Sequence, residues 1–467
     1  MGKSNRQRRA AKNAARRRHP RQRPARPATE SARPAETPFR DGGTSNPFSR
    51  PDPPPSFEQL RTEQVERTLD RLLAARTAPV QVLALLVEQE LIGFQSDGLR
   101  KLDELMTLRL RYLVATLWEQ GWQPLDLLRV VQKSSQRLGR VIAAVVTEQA
   151  ATAGALSRAP QDWLNQLRVV AEEAGELAPA SGQRATWLLA TAICESGLEL
   201  VDAWVDIIAV VGSISALPRL EQIAPPPSEW GKATRVAHAD PGSERGRVLK
   251  RIRALLAKAE ATDYAAEAET FTAKAQDLMT RHAIDEVLLT GSSETAITVV
   301  ARRVHVQSPY ATAKTSLLNA VAGANRCKLI YFDQLAIATL VGVPIDIDQV
   351  EMLFTSLLIQ ATRAMTEAGA GWAGSFDRSA TFRRSFLSAY AVRIRERLTE
   401  ATSAATASYG NELVPVLKRQ DDAVSAEFDR LFPYTRQSRG RYVDSRGWDA
   451  GRRAADRAVF TKARISA

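Results

Sequence analysis

Arginines set close to aromatic rings are the residues of this chain best suited to chemistry, and that chemistry is recognition of phosphate and bases. Arg383, Arg384, Arg393, Arg395 and Arg397 crowd one predicted helix around Phe382, Phe386 and Tyr390. Near the end, Arg436, Arg439, Arg441, Arg446, Arg452 and Arg453 are interleaved with Tyr434, Tyr442 and Trp448. Residues 434–467 hold nine basic and three acidic residues, a balance of +6. A guanidinium forks onto phosphate through paired N–H donors, and an aromatic face stacks on a base. Gly440 and Gly447 add backbone freedom to the same segment. The alternative is a solvated basic face beside core aromatics, and spacing alone leaves both open.

A second basic group lies at the other end. Met1 to Arg40 carries 13 Lys and Arg against Glu30 and Glu36, so +11 of the chain's +12 sits there. Arg8, Arg9, Arg16, Arg17 and Arg18 are its densest part. Lys3 to Arg26 has no aliphatic side chain larger than Ala, so burial cannot offset the entropy of ordering, and a disordered arm is expected. Such an arm contacts a polyanion, solubilises the chain, or docks on an acidic protein face. No apolar stretch follows its arginines, so neither secretory signal fits.

Familiar active sites are not legible. His19, His238, His282 and His305 are scattered, with no H-x-x-x-H or H-E-x-x-H. Ser308 to Thr315 has the spacing of a phosphate-binding loop, but Ser308 and Ala313 replace both glycines, and their Cβ atoms would obstruct the phosphate. Lys314 then reads as exposed on a helix face. Glu195, Glu199, Asp202 and Asp206 recur at intervals of four, three and four, which predicts one acidic helix face: a solvated surface, a docking surface or a metal site. The E-x-x-H partners of a di-iron bundle are absent. Asp346, Asp348 and Glu351 read as a helix N-terminal turn that favours acids. No catalytic residue, cofactor or metal site is assigned. Cys194 and Cys327 make no disulfide framework, which fits a reducing cytoplasm.

These residues must be positioned by a mainly α fold. A disordered basic arm and Pro-rich linker span residues 1–56. An all-helical domain follows at 57–217, with six or seven helices packed as a bundle and no strand. Leu60, Val65, Leu69, Leu72 and Leu73 have helical spacing, as do Leu99, Leu102, Leu105, Met106, Leu110 and Leu113. Breaks fall at Pro79, Asp97-Gly98, Gly121 to Pro124, Pro160, and Pro179 to Gly182. Residues 218–246 read as a second Pro-rich linker. An αα-hairpin occupies 247–287: Val248, Ile252, Leu255, Leu256 and Ala259 form one stripe, and Ala268, Phe271, Ala275, Leu278 and Met279 another. Residues 288–467 read as an α+β domain with a basic C-terminal segment. Its strands fall at 295–306, 328–332 and 335–341, the last two forming a hairpin in a small antiparallel sheet covered by helices. A terminal helix is predicted from Trp448 to Phe460. No run of apolar residues is long enough to span a membrane; the nearest, Trp204 to Leu217, contains Asp206.

The stretch LKRIRALLAKAEATDYAAEAETFTAKAQDLMTRHAID resembles a bacterial family, domain of unknown function 2786. The signature is a basic first helix with I-x-x-L-L-x-x-A-E, followed by a second helix ending K-A-Q-x-L-M and then I-D. KTSLLNAVAGANRCKLIY, TFRRSFLSAYAVRIRERL and SRGRYVDSRGWDAGRRAADRA are similar to the companion domain that often follows it, extending the resemblance to about residues 245–465. The resemblance implies architecture and a bacterial host but no chemistry. The excess of Arg over Lys, 52 to 12, points to a GC-rich genome of the actinobacterial type.

The expectation for function is a cytoplasmic, non-catalytic protein that associates with nucleic acid. The contacts would be Arg8, Arg9, Arg16, Arg17, Arg18, Arg383, Arg384, Arg439, Arg441, Arg446, Arg452 and Arg453. The alternatives are a protein–protein adaptor whose helical domain binds a partner, and an enzyme with an unrecognised site. The hairpin's Arg247, Lys250, Arg251, Arg253 and Lys258 add a third basic group, though its turn lacks the glycine usual in helix-turn-helix readers.

Overall fold

The computed structural model describes residues 57–179, 186–231, 244–261, 271, 274–275, 278–279, 297–370, 379–408, 414–435 and 444–457. Arg8, Arg9, Arg16, Arg17, Arg18, Arg439 and Arg441 fall outside them.

The stretch predicted to be all-helical forms nine helices among the described residues. They are α1 (Phe57–Ala74), α2 (Val80–Leu91), α3 (Ser96–Glu119), α4 (Pro124–Gln132), α5 (Gln136–Thr152), α6 (Ala155–Arg158), α7 (Gln161–Ala174), α8 (Leu189–Glu195) and α9 (Leu200–Ser215). The count exceeds expectation because α6 and α8 are too short to show a period in sequence. Local chemistry sets the starts. Pro124 opens α4, where Gln123 and Asp126 cap each other's backbone reciprocally. Ser135 accepts the amide of Arg137 at the head of α5. The head of α8 is capped from another helix: buried Asp103 of α3 accepts the amides of Ala190 and Thr191, both at 2.9 Å.

The bundle core is built from Leu72, Val87, Leu102, Met106, Leu110, Trp118, Trp122, Trp163 and Trp204. Residues 218–231 lie on this core. Trp230 packs against Trp118 and Trp163, with ring centroids 6.5 and 5.1 Å away. Trp122 donates its indole N–H to the carbonyl of Pro218 at 2.8 Å. Gly121 has φ +92, and any Cβ there would run into the carbonyl of Leu220, so glycine alone fits.

The sheet contains β1 (Val300–His305), β2 (Lys328–Phe332) and β3 (Ile337–Gly342), in the order β1-β3-β2 with both pairs antiparallel. His305 lies opposite Ile337, and so does Phe332. The central strand β3 is buried along its whole length. Its alternate residues serve different cores, as the two-residue period of a strand requires. Ile337 joins the bundle core. Ala338 and Leu340 join a core with α11 (Ala311–Ala324), α12 (Pro344–Ala370) and α13 (Ala380–Ser408). Val341 packs with Val424, Leu431 and Phe432, around α14 (Val414–Leu431).

The first hairpin helix, α10 (Glu244–Ala261), buries Ile252 and Leu256 against Ala275 and Met279, with Met352 of α12 alongside. Gln349 of α12 donates to the carbonyl of Met279 at 2.9 Å, which fastens the second hairpin segment. The last helix, α15 (Ser445–Arg457), packs along α13. None of the described helices is long and apolar enough to cross a membrane.

Candidate nucleic-acid interface

Helices α13 and α15 carry the C-terminal arginines and run parallel at close range. Gly447 sits on the carbonyl of Phe382 and Gly451 on that of Phe386; a Cβ at either would collide with backbone. Gly447 was read as a flexible point in a loop, with the helix starting at Trp448. The helix instead starts at Ser445, because Asp444 accepts the amide of Gly447 at 2.8 Å and caps it. Here glycine supplies close approach rather than freedom.

The aromatics of α13 are core. Phe382, Phe386 and Tyr390 are buried, and Phe386 stacks on Tyr390 with centroids 6.3 Å apart. They offer no face to a base. Tyr434 is 96% exposed and does.

The arginines divide into two sets. Arg393 binds Asp456 and Glu396, and Arg452 reaches the same Glu396 at 3.4 Å. Hydrogen bonds from Arg393 hold Glu396 below the usual carboxylate range. Arg397 donates to the carbonyls of Ala455 and Asp456, closing the C-terminal end of α15. These residues fasten one helix to the other. Arg383, Arg384, Arg446 and Arg453 form no ion pair among the described residues. Among the described residues Arg384 bonds to Ala380 and Thr381 of its own turn. Arg446 and Arg453 are exposed, with Asp449 and Asp456 between and beyond them on the same outer face of α15. Because Gly447 abuts Phe382, Arg383 and Arg446 occupy neighbouring positions.

Sequence reasoning missed an ionic cluster between the bundle and the sheet. Arg303 and His305, two apart on β1, face the bundle. Both bind the fully buried Asp126 of α4; the His305 ring is 2.7 Å from its carboxylate. Arg303 also donates to the carbonyls of Gly121 at 2.7 Å and Glu221 at 2.9 Å. Burial alone would push Asp126 up, but Arg303 and His305 more than cancel it and hold the carboxyl below its usual range. The strand alternation of Arg303 and His305 was readable; their partner, 177 residues away from Arg303, was not.

Asp346, Asp348 and Glu351 do lie in the first turns of α12, but each has a cationic partner. Arg326 grips Asp346 through two nitrogens, at 2.7 and 3.3 Å, and Gln420 of α14 adds a third bond. Burial pushes Asp346 up, and these partners offset that only in part. Arg302, on the opposite face of β1 from Arg303, binds Asp348 and Glu351 at 2.8 and 2.9 Å.

Several expectations are corrected. The row Glu195, Glu199, Asp202 and Asp206 is not one helix face. α8 stops at Glu195, Gly197 turns the chain at φ +97, and α9 begins at Leu200. Asp206 is buried and bound by Arg137 at 2.7 Å. Among the described residues no group of three or more His, Cys, Asp or Glu could hold a metal ion. Lys314 is half-buried rather than exposed, and donates to the carbonyl of Gln307 at 3.0 Å. Cys194 and Cys327 are free thiols. His19, His238 and His282 lie outside the described residues.

Residues 247–286 match the family described as protein of unknown function, DUF2786, so the predicted hairpin carries that domain. No curated protein and no solved structure matches the chain.

Proposed function

We propose that the protein is a non-catalytic nucleic-acid-associated protein that holds the phosphate backbone through its basic arm and its C-terminal arginines. The observation that carries this reading is the division of arginines on α13 and α15. Arg393, Arg397 and Arg452 are engaged in joining the helices, whereas Arg383, Arg384, Arg446 and Arg453 form no ion pair among the described residues. Free guanidinium groups on a rigid helix pair suit phosphate contact. The arm, with Arg8, Arg9, Arg16, Arg17 and Arg18, adds charge without sequence preference. Arg439 and Arg441 lie in the segment leading into α15. The same reading places the protein in a bacterial cytoplasm, with residues 288–467 as the companion of the hairpin domain.

The test is binding of a labelled duplex across a salt series. Each phosphate contact adds about 0.9 to the log–log slope. Changing Arg383, Arg384 and Arg446 to Gln, or deleting residues 1–40, should flatten that slope while the fold persists. Slopes equal to that of the parent in both variants would remove the reading.

A protein partner on the helical domain is the second reading, and one observation favours it. The outer side of α2 leaves Val82, Leu85 and Ile92, just past its end, 55%, 68% and 80% exposed. A partner retained at high salt and released by Leu85→Asp would support it.

A further inference from the structure

We infer that the outer face of α10 is a docking surface for the phosphate backbone of a nucleic-acid duplex. The inference rests on the nucleic-acid reading above but names a different surface, in the hairpin domain. The helix is amphipathic: one side is apolar, and the other carries a row of cations separated by alanines. Ile252 and Leu256 point into the hairpin core, with Val248 and Leu255 at its edge. Turned away from them, at helical spacing, stand Arg247, Lys250, Arg251, Ala254 and Lys258, all exposed. Lys258 lies 5.5 Å from the ring centre of Phe271. Arg247, Lys250 and Arg251 form no ion pair among the described residues. From Arg247 to Lys258 the stripe runs about 16 Å at 1.5 Å per residue. That length spans several phosphates, which follow every 3.4 Å or so of axis along one strand of a duplex.

Three features choose this occupant over others. An anionic membrane would take up an amphipathic helix by its apolar side. That side of α10 is occupied by Ala275, Met279 and Met352, so the helix has nothing to insert. A protein interface needs an aromatic or aliphatic anchor, and is depleted in lysine. Among the described side chains, the apolar residues outward on this stripe are Ala254 and Ala257. Single strands are held by stacking on several aromatic side chains, and the one ring at this stripe among the described residues, half-buried Phe271, already lies under Lys258. What remains is a straight row of cations with small residues between them. It can lie close against a duplex backbone and read its charge rather than its sequence.

The experiment uses the full-length protein and a short labelled duplex of random sequence, with binding followed across a salt series. The variant Arg247→Gln, Lys250→Gln, Arg251→Gln should lower the log–log slope by about 2.7, from three contacts at about 0.9 each. The control Arg109→Gln, Arg140→Gln, Arg168→Gln removes the same charge from exposed positions of the bundle and should keep the parent's slope. Arg247→Lys with Arg251→Lys keeps the charge and should also retain it, which separates lost contact from lost fold. A parent-like slope in the triple Gln variant, with the parent still binding, overturns this inference and leaves the broader reading standing. A slope equally reduced in the bundle control overturns it too, because net charge would then explain the effect. Loss of phosphatidylserine-vesicle binding with duplex binding intact would make the stripe a membrane contact instead. A parent protein that shows no salt-dependent binding to nucleic acid fails the broader reading itself.

Discussion

Arg303 and Arg251 are used in opposite ways. Arg303, on β1, has a side chain only 4% exposed and spends its donors on Asp126 and on the carbonyls of Gly121 and Glu221. Arg251, on α10, is exposed and forms no ion pair among the described residues. The junction between bundle and sheet consumes its arginines internally, and the hairpin leaves Arg247 and Arg251 exposed with no ion pair among the described residues. A buried guanidinium must be paired or the fold loses stability, while an exposed one is nearly neutral to folding. Basic residues are therefore evidence of a binding surface only after their partners have been counted.

The comparison can be broken most directly at the junction. Arg303→Met leaves Asp126 buried with only His305 and the amide of Gln123 for partners. It should destabilise the fold by about 3–5 kcal/mol, read from chemical unfolding by tryptophan fluorescence. Six of the eight tryptophans lie between residues 118 and 230, so that signal reports the bundle side of the junction. An unchanged unfolding midpoint would mean the cluster is incidental.

Leu256→Ala attacks what keeps the α10 arginines in a row. It opens a cavity between the hairpin helices and should cost about 2–5 kcal/mol locally. Faster hydrogen exchange in α10, with the bundle unaffected, is the expected signature. No change would mean that Leu256 is not core and that the stripe is not held by the hairpin.

Two buried carboxylates sharpen the contrast through pH. Asp126 is held below the usual aspartate value of 3.8, so its contribution is fully present above that value and lost as pH falls towards its folded pKa. Asp346 is raised above 3.8, so stability from this site falls as pH rises from 3.8 through its folded pKa. Asp126→Asn should abolish the first dependence and Asp346→Asn the second. Denaturation midpoints of each variant against the parent, measured across that range, should therefore diverge with opposite sign.

The exposed pairs lie between the extremes. Arg393→Gln should cost at most about 1 kcal/mol, because its partner Asp456 is 48% exposed in its side chain. Arg247→Gln, Lys250→Gln and Arg251→Gln together should stay within about 0.5 kcal/mol per site of the parent in thermal unfolding. A larger loss would show that these cations have a structural role and that the comparison with Arg303 fails.

How much of this was legible depends on distance along the chain. The longer helices of the bundle and the hairpin β2–β3 follow from local period and turn residues, because each is decided within a few residues; α6 and α8 are too short to show a period. The stripe of α10 is equally local and could be drawn from sequence alone, since i, i+4, i+7 and i+11 fall on one side of a helix. What sequence could not show was which arginines were free. Arg303 finds its acid 177 residues away and Arg393 finds one 63 residues away. The acidic row of Glu195 to Asp206 failed for a local reason: Gly197, in a left-handed conformation, divides what spacing reads as one helix. Gly447 was misread because a glycine in a basic segment looks like a hinge, and only the packing partner Phe382 shows that it is a point of contact.

The central strand β3 restricts how this fold can change over generations. Ile337 completes one core while Ala338 and Leu340 complete another, with no side left for water. Inserting or deleting one residue between 337 and 342 would exchange the two sets, placing each against the wrong neighbours. Such length changes should be eliminated by selection, and the turn at 333–336 is constrained too, because Leu335 packs on the bundle core and the carbonyl of Ala336 accepts the amide of Val306. Among descendants of this sequence, lineages should agree in length along the strand.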